Sequence, residues 1–207
     1  IGRRIMDRTT IYIISVAVAY LVGAIPCGIV VSRLMGKGDP RKAGSGNIGA
    51  TNVGRTSGKL AGILTLLGDA LKGGVPVFLA FQYYPESLFV SLVGLAAFLG
   101  HLFPVYLGFK GGKGVATGLG VMVVICPIAT LLSAVVFAVV AYLKKYVSLA
   151  SIIAAAMLPV FMSFFPRGRN YVGMAVVVAV LVIIKHKDNI KRLVAGTENK
   201  IGGAKGK

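Results

Sequence analysis

Acidic side chains are scarce: six Asp and Glu stand against 23 Lys and Arg, a formal net charge of +17. Charge of either sign is thin too, at 14% of residues, where soluble chains carry about 25%. Cysteine is limited to Cys27 and Cys126, which excludes a disulfide-stapled secreted scaffold. Both sit in apolar runs and read as buried thiols rather than a redox pair. What the chain does have is apolar matter: 56% hydrophobic residues and a mean hydropathy of +0.83. That content excludes disorder and is too high for a soluble globular domain. So large a basic excess would suit nucleic acid, but such a partner calls for a water-soluble body with reading elements. Here the cations are squeezed between long apolar runs. This is the pattern of a membrane protein whose basic loops face anionic headgroups and the cytoplasm. The length suits one membrane-embedded domain over 1–207, with Ile1 to about Thr9 expected to be partly foreign to the natural chain.

A spanning helix needs about 20 mostly apolar residues. Such runs lie at Thr10–Met35, Leu60–Tyr83, Glu86–Val105, Gly114–Tyr142, Val147–Phe165 and Asn170–Ile184. The fourth, at 29 residues, is long for one span and short for two, and Cys126-Pro127 near its middle would kink one helix or separate two. Loop charge arbitrates. With two spans there and the N-terminus outside, the inside carries Lys37, Arg41, Lys42, Arg55, Lys59, Lys110, Lys113, Lys144, Lys145 and the basic tail from Lys185. The outside keeps only Arg3, Arg4, Arg8, Arg167 and Arg169. Positive-inside bias therefore favours seven spans. The fold expected is an all-α polytopic integral membrane protein, seven transmembrane helices, with a cytoplasmic C-terminus. Its polar segments 36–59, 106–118 and 185–203 then share one face.

In the first segment Gly44, Gly46, Gly49 and Gly54 let backbone N–H groups converge. Ser45, Asn47, Thr51 and Asn52 add neutral donors, and Arg55 a bidentate fork for phosphate. An ordinary flexible loop would also be rich in Gly, Ser and Asn. Gly-x-Gly-x-x-Gly from Gly44 to Gly49 is no dinucleotide fingerprint, because no strand precedes it. In the second segment Gly111, Gly112 and Gly114 bracket Lys113, with Lys110 beside them, just before an apolar helix. Glycine amides, lysine and a helix N-terminus make an anion site; a glycine-rich re-entrant turn with snorkelling lysines is the plainer reading. The nucleotide-loop spacing and its hydroxyl after the lysine are missing. In the third segment a basic stop-transfer tail explains the lysines but not His186, Asn189 and Glu198. On a helix His186 and Asn189 are i and i+3 and face one side. His186, Asp188 and Glu198 are too few for a metal site. Asp69 and Lys72, an i, i+3 pair inside an apolar run, either serve function or lock their helix to a neighbour. His101 suits packing as well as catalysis.

Gly44-Ser-Gly-Asn-Ile-Gly-Ala-Thr-Asn52 with Arg55, Asp69-Ala-Leu-Lys-Gly73, Gly100 to Thr117 and His186 to Glu198, in this order, resemble the acyl-phosphate-dependent glycerol-3-phosphate acyltransferases of bacteria, the PlsY family. The resemblance spans nearly the whole chain after its first few residues. Ala24-Ile-Pro-Cys27-Gly departs from the family's usual Ser-Ile-Pro-Phe-Gly, and no role is assigned there. The resemblance implies a seven-helix enzyme of the bacterial inner membrane, active on the cytoplasmic face. It would move a fatty acyl group from acyl phosphate to the 1-hydroxyl of sn-glycerol 3-phosphate, giving 1-acyl-sn-glycerol 3-phosphate (lysophosphatidate) and phosphate for phospholipid synthesis. No cofactor, metal, nucleic acid or obligate protein partner is implied.

On this basis Ser45, Arg55 and Lys113 take the acceptor phosphate, with His186 and Asn189 closing the site. Asn47, Thr51 and Asn52 line it. The donor phosphate lies against the amides of Gly111, Gly112 and Gly114, helped by Lys110 or Lys113. No His-x-x-x-x-Asp dyad exists, since Tyr106 and Lys191 stand where the acid would be. Direct transfer with the acceptor's own phosphate taking the proton is expected, His186 as general base being second choice and Glu198 orienting a cation or hydroxyl. The rival readings are a phosphate or organic-anion transporter, disfavoured by the lack of a clear repeat, and a lipid-binding scaffold.

Overall fold

A computed structural model describes residues 7–202, and the chain divides into two compact units, Ile1–Val121 and Met122–Lys207. Arg3 and Arg4, assigned above to the outer face, and the last five residues of the tail lie outside the described residues. Every regular element among the described residues is helical.

In the first unit α1 (Arg8–Gly23) starts at Asp7, whose carboxylate accepts from Thr10 N at 2.7 Å as an N-cap. Pro26, with no N–H to give, breaks the apolar run, and α2 (Cys27–Leu34) continues at 45° to α1. The single span expected over Thr10–Met35 is thus a bent pair. A short helix, α3 (Ala50–Thr56), then stands inside the polar segment read as a loop. Just before it, Asn47 Oδ1 accepts from Gly49 N at 2.8 Å, and Gly49 is the N-cap with no side-chain cap. The 25 residues of α4 (Lys59–Tyr83) reach about 37 Å at 1.5 Å per residue. The helix α5 (Ser87–Leu102) follows, and α6 (Val115–Ile125) begins after the glycine-rich loop.

The faces of α4 are inverted relative to a water-soluble helix. Leu60, Leu67, Leu71, Phe78 and Leu79 point outward, while Ala61, Gly62, Thr65, Asp69, Lys72, Gly73 and Gly74 are buried. Small residues inside and large apolar ones outside suit lipid, where close packing rather than hydrophobicity joins helices. The same logic fixes the neighbours. A Cβ on Gly100 would strike Tyr20 O, and one on Gly23 would strike Ala97 O, so α1 and α5 meet backbone to backbone. They run parallel: Tyr12 stacks on Phe89 near their starts, with ring centroids 3.9 Å apart, and Tyr20 donates to Phe103 O at 2.7 Å near their ends. Near their starts Glu86 also receives Arg8 and the Tyr12 hydroxyl. Gly73 and Gly120 likewise let α4 and α6 touch at Thr117 and Ala70.

In the second unit the 29-residue apolar stretch is cut at Cys126, which lies outside helical geometry (φ −142°, ψ 82°). The break separates α6 from α7 (Pro127–Lys144), so Pro127 opens a new helix instead of kinking one. Lys145 at φ 61° turns the chain into α8 (Val147–Ser163). A single turn, α9 (Pro166–Arg169), leads to α10 (Val172–Lys185), and His186 alone separates α10 from α11 (Lys187–Val194). Cys126 is buried and Cys27 half-buried, both as free thiols.

Among the described residues three helical stretches are singly long and apolar enough to cross a membrane: Lys59–Tyr83, Ser87–Leu107 and Pro127–Lys144. The bent α1–α2 pair makes a fourth. Val115–Ile125, Val147–Ser163 and Val172–Lys185 are apolar but shorter.

Candidate active site

The loop between α2 and α3 is organised by one side chain. Asn52, 2% exposed, donates from Nδ2 to Pro40 O and Asn47 O at 2.8 Å and to Ala43 O at 3.2 Å. Its Oδ1 accepts from Ser45 N at 2.8 Å. Its amide is therefore fully engaged within the loop, which it wraps around itself. Asn47 is engaged as well, through Gly49. Gly44 and Gly46 take φ of 62° and 69°, and a Cβ on Gly44 would collide with Asn52 Oδ1, so this glycine is demanded twice over. Upstream, Asp39 caps the turn at Pro40, and hydrogen bonds from the Arg41 side chain and backbone hold its carboxyl down at about 2.

What remains outward-facing is Ser45 and Thr51, both exposed, and Arg55, half-buried in the last turn of α3. None of the described acidic side chains pairs with Arg55 or with the exposed Lys110. Asp39 is taken by Arg41, Asp69 by Lys72, Glu86 by Arg8 and Glu198 by Arg192. Cations left uncompensated at a loop create a standing positive potential for an anionic ligand.

The glycine loop folds back on the end of α5. Gly112 N donates to His101 O at 3.1 Å, so this amide is engaged within the protein. A Cβ on Gly111 would strike His101 O and Pro104, one on Gly112 would strike His101 Nε2, and one on Gly114 would strike Phe98. Three glycines here answer to three separate close approaches. Lys113 is half-buried between them. The first hydrogen bond of α6 runs from Gly118 N to Gly114 O at 2.7 Å. The amides of the first turn, before Gly118, have by helix geometry no carbonyl behind them and carry the positive end of the dipole.

Under this loop lies a buried charge cluster. Lys72 Nζ is 2.8 Å from Asp69 Oδ1 and donates to Ile25 O, at the α1–α2 break, at 2.7 Å. His101 Nδ1 is 3.5 Å from the same Asp69 oxygen. The i, i+3 self-pair expected from sequence is present, and His101 joins it, a contact that no local spacing could signal.

The second unit holds the remaining residues. His186 and Asn189 are both buried, 3% and 4% exposed, as their shared face predicts. His186 Nδ1 lies 2.8 Å from Val182 O; a carbonyl can only accept, so Nδ1 carries the proton and the lone pair of the neutral ring belongs to Nε2. Glu198 is a clamp. Its Oε1 accepts from Asn189 at 2.7 Å and Ser148 at 2.9 Å, and Oε2 from Arg192 at 2.7 Å. Burial pushes its carboxyl up, but these hydrogen bonds outweigh it and hold it below the ordinary glutamate value. A turn at Gly196 (φ 70°) brings Glu198 back, and Ile201 N closes the tail on Lys145 O at 2.7 Å.

Known proteins carry this sequence pattern and fold. The family description "Glycerol-3-phosphate acyltransferase" matches residues 13–196. A glycerol-3-phosphate acyltransferase of Geobacter sulfurreducens is 52% identical over 91% of this chain and 96% of its own. One of Syntrophotalea carbinolica is 50% identical over 93% and 98%. The crystal structure of PlsY (YgiH), an integral membrane glycerol 3-phosphate acyltransferase, superposes in its glycerol 3-phosphate form with a TM-score of 0.88. That match has 43% identity and covers 92% of this chain and 96% of that one. Its lysophosphatidic acid form gives 0.85 at 41% identity, covering 92% and 95%. These likenesses identify the chain as a membrane-integral acyltransferase. The chain belongs to the glycerol-3-phosphate acyltransferase family.

Proposed function

We propose that this enzyme transfers a fatty acyl group from acyl phosphate to the 1-hydroxyl of sn-glycerol 3-phosphate, producing 1-acyl-sn-glycerol 3-phosphate and inorganic phosphate for phospholipid synthesis. The observation that carries this reading is the likeness at 43% identity to an acyltransferase structure in its glycerol 3-phosphate form, joined to Arg55 and Lys110 standing without acidic partners. Donor and acceptor phosphates together bring about three to four negative charges, so surplus fixed cations are a requirement of the chemistry. Ser45, Arg55 and Lys113 take the acceptor phosphate. The amides of Gly111 and Gly114, before the start of α6, take the donor phosphate with Lys110. Thr51 lines the acceptor side, while Asn52 and Asn47 hold the loop in shape.

In the reaction the hydroxyl oxygen attacks the acyl carbonyl carbon, the carbon–oxygen bond to phosphate breaks, and phosphate leaves with the electron pair. The hydroxyl proton passes to the acceptor's own phosphate and then to water. The donor is already activated, so demand on a protein base is modest. His186, with its lone pair on Nε2, is the alternative base; Asn189 also serves substrate, and Glu198 fixes Asn189 in place. Among the family's requirements, no cofactor enters this scheme.

For the membrane we propose seven spans, built from the bent α1–α2 pair, α4, α5, α6, α7, α8 and α10, in the bacterial inner membrane. The N-terminus lies outside, and the polar segments and the C-terminus are cytoplasmic. Positive-inside bias supports this: Lys144 and Lys145 join the basic loops on one face, and Arg167 and Arg169 fall on the other. Labelling of single cysteines at Lys42, Lys144 and Arg167 in intact and opened spheroplasts tests it; Lys42 and Lys144 on opposite faces would refute the arrangement. Purified enzyme with acyl phosphate and labelled glycerol 3-phosphate should release phosphate and form a lysophospholipid. Arg55→Ala should lower kcat/KM about 10- to 100-fold through loss of a charged hydrogen-bonding partner. Undiminished turnover, or a trapped acyl-enzyme with donor alone, would refute the mechanism.

A further inference from the structure

The reaction scheme leaves Asp69, Lys72 and His101 unused, although they are the most costly side chains in the first unit. All three are buried, at 2%, 6% and 3% exposure. Unpaired burial of an ionised group costs several kcal/mol, so the cluster persists only because its members answer one another. Asp69 and Lys72 both lie on α4, so their pair alone joins no two helices. Three further contacts lead elsewhere. Lys72 holds Ile25 O, the carbonyl at the α1–α2 break. Asp69 Oδ1 faces His101 Nδ1. On the opposite edge of that imidazole, Nε2 packs so closely on Gly112 that a methyl group there would overlap it.

We infer that Asp69 is a positioning residue for acyl transfer, acting through His101 on the glycine loop. The inference rests on the functional reading above. Asp69, anchored by Lys72, sets the tilt of the His101 ring, and the ring is the floor on which Gly112 rests. Gly112 N is tied to His101 O as well, so ring and carbonyl of one residue fix the peptide plane between Gly111 and Lys113. A change of ring tilt therefore re-aims the Gly111 and Gly114 amides, which face the donor phosphate in the scheme. Misplacing reacting groups by about 1 Å costs about 100-fold in rate, whereas the acceptor contacts at Ser45 and Arg55, on another segment, stay in place.

The first test is Asp69→Asn, which preserves size and an oxygen acceptor for Lys72 while removing the charge. Expected is a fall in kcat of about 10- to 100-fold, with a smaller rise in KM for glycerol 3-phosphate, because Lys113 alone of its phosphate contacts lies on the loop. Amide exchange should be faster in the 108–117 segment and unchanged along α1 and α5. A protein with wild-type kcat, or with exchange raised evenly over the whole first unit, overturns the inference. If Asp69→Asn does not fold, a double-variant cycle decides. Gly112→Ala should loosen the 108–117 segment in wild type and add nothing further in the His101→Ala background, where the ring is gone. Gly111→Ala, which meets the His101 carbonyl and Pro104 instead, should add its full effect in both backgrounds. Additive behaviour of Gly112→Ala overturns the inference. Wild-type enzyme that makes no lysophospholipid refutes the functional reading, whereas the exchange measurements still judge the Asp69–His101–Gly112 linkage.

Discussion

Replacing Asn52 with alanine separates loop organisation from substrate contact. The Asn52 amide reaches three carbonyl oxygens but owns two hydrogens, so the 3.2 Å approach to Ala43 is the weak one. Three good bonds remain: to Pro40 O, to Asn47 O, and from Ser45 N, each at 2.8 Å. At roughly 1 kcal/mol net apiece, their loss costs about 3 kcal/mol of local loop stability. That shifts the open–closed equilibrium of residues 40–49 by about 100-fold. Affinity for a ligand that needs the closed loop falls with the closed fraction, so KM for glycerol 3-phosphate should rise at least about tenfold. Asn52→Asp, which turns the donor into an acceptor facing carbonyls, should be worse than alanine despite its closer shape. Amide exchange and limited proteolysis of the 40–49 segment, measured beside steady-state kinetics, read both quantities. An Asn52→Ala enzyme with a tight loop and a raised KM would refute this reasoning and make Asn52 a direct substrate contact.

Two further outcomes are expected. Gly100→Ala inserts a methyl group against Tyr20 O and should lower thermal stability by about 1–3 kcal/mol as overpacking does, read as a reduced melting temperature in detergent; an unchanged melting temperature would contradict the backbone contact of α1 and α5. Because Glu198 titrates below its unfolded value, its contribution to tail docking is complete above about pH 4.3 and is lost as pH falls through the lowered folded value. Protease sensitivity after Arg192 should therefore appear only in acid, and Glu198→Gln should bring it to neutral pH. A tail that stays protected in acid would count against the clamp.

The apolar runs alone locate the long helices to within a few residues: α4 ends at Tyr83 as expected, and α8 begins at Val147. Proline marks both breaks, at Pro26 and Pro127, because it lacks the N–H a continuing helix needs. The bend at Pro26 is nonetheless missed as a boundary, since apolar residues continue on both sides. α3 is hidden because its Thr, Asn and Gly favour loops, and it is held by packing on α4, where Gly54 meets Gly62. The proposal of an anion site at Arg55 and the glycine loop comes from residue type alone. The engagement of Asn52 and the joining of His101 to Asp69 cannot be read that way, because they depend on chain crossings rather than spacing.

The parallel pairing of α1 and α5 has a consequence for biogenesis. Gly23 and Gly100 lie 77 positions apart, so at about 5–20 residues per second the ribosome works for several seconds after the first glycine before the second exists. If α1 inserts as proposed, its groove ending at Gly23 faces lipid during that interval. In the proposed topology, docking of α5 is then an exchange of acyl chains for a peptide backbone, made after α4 has carried the chain back across the bilayer.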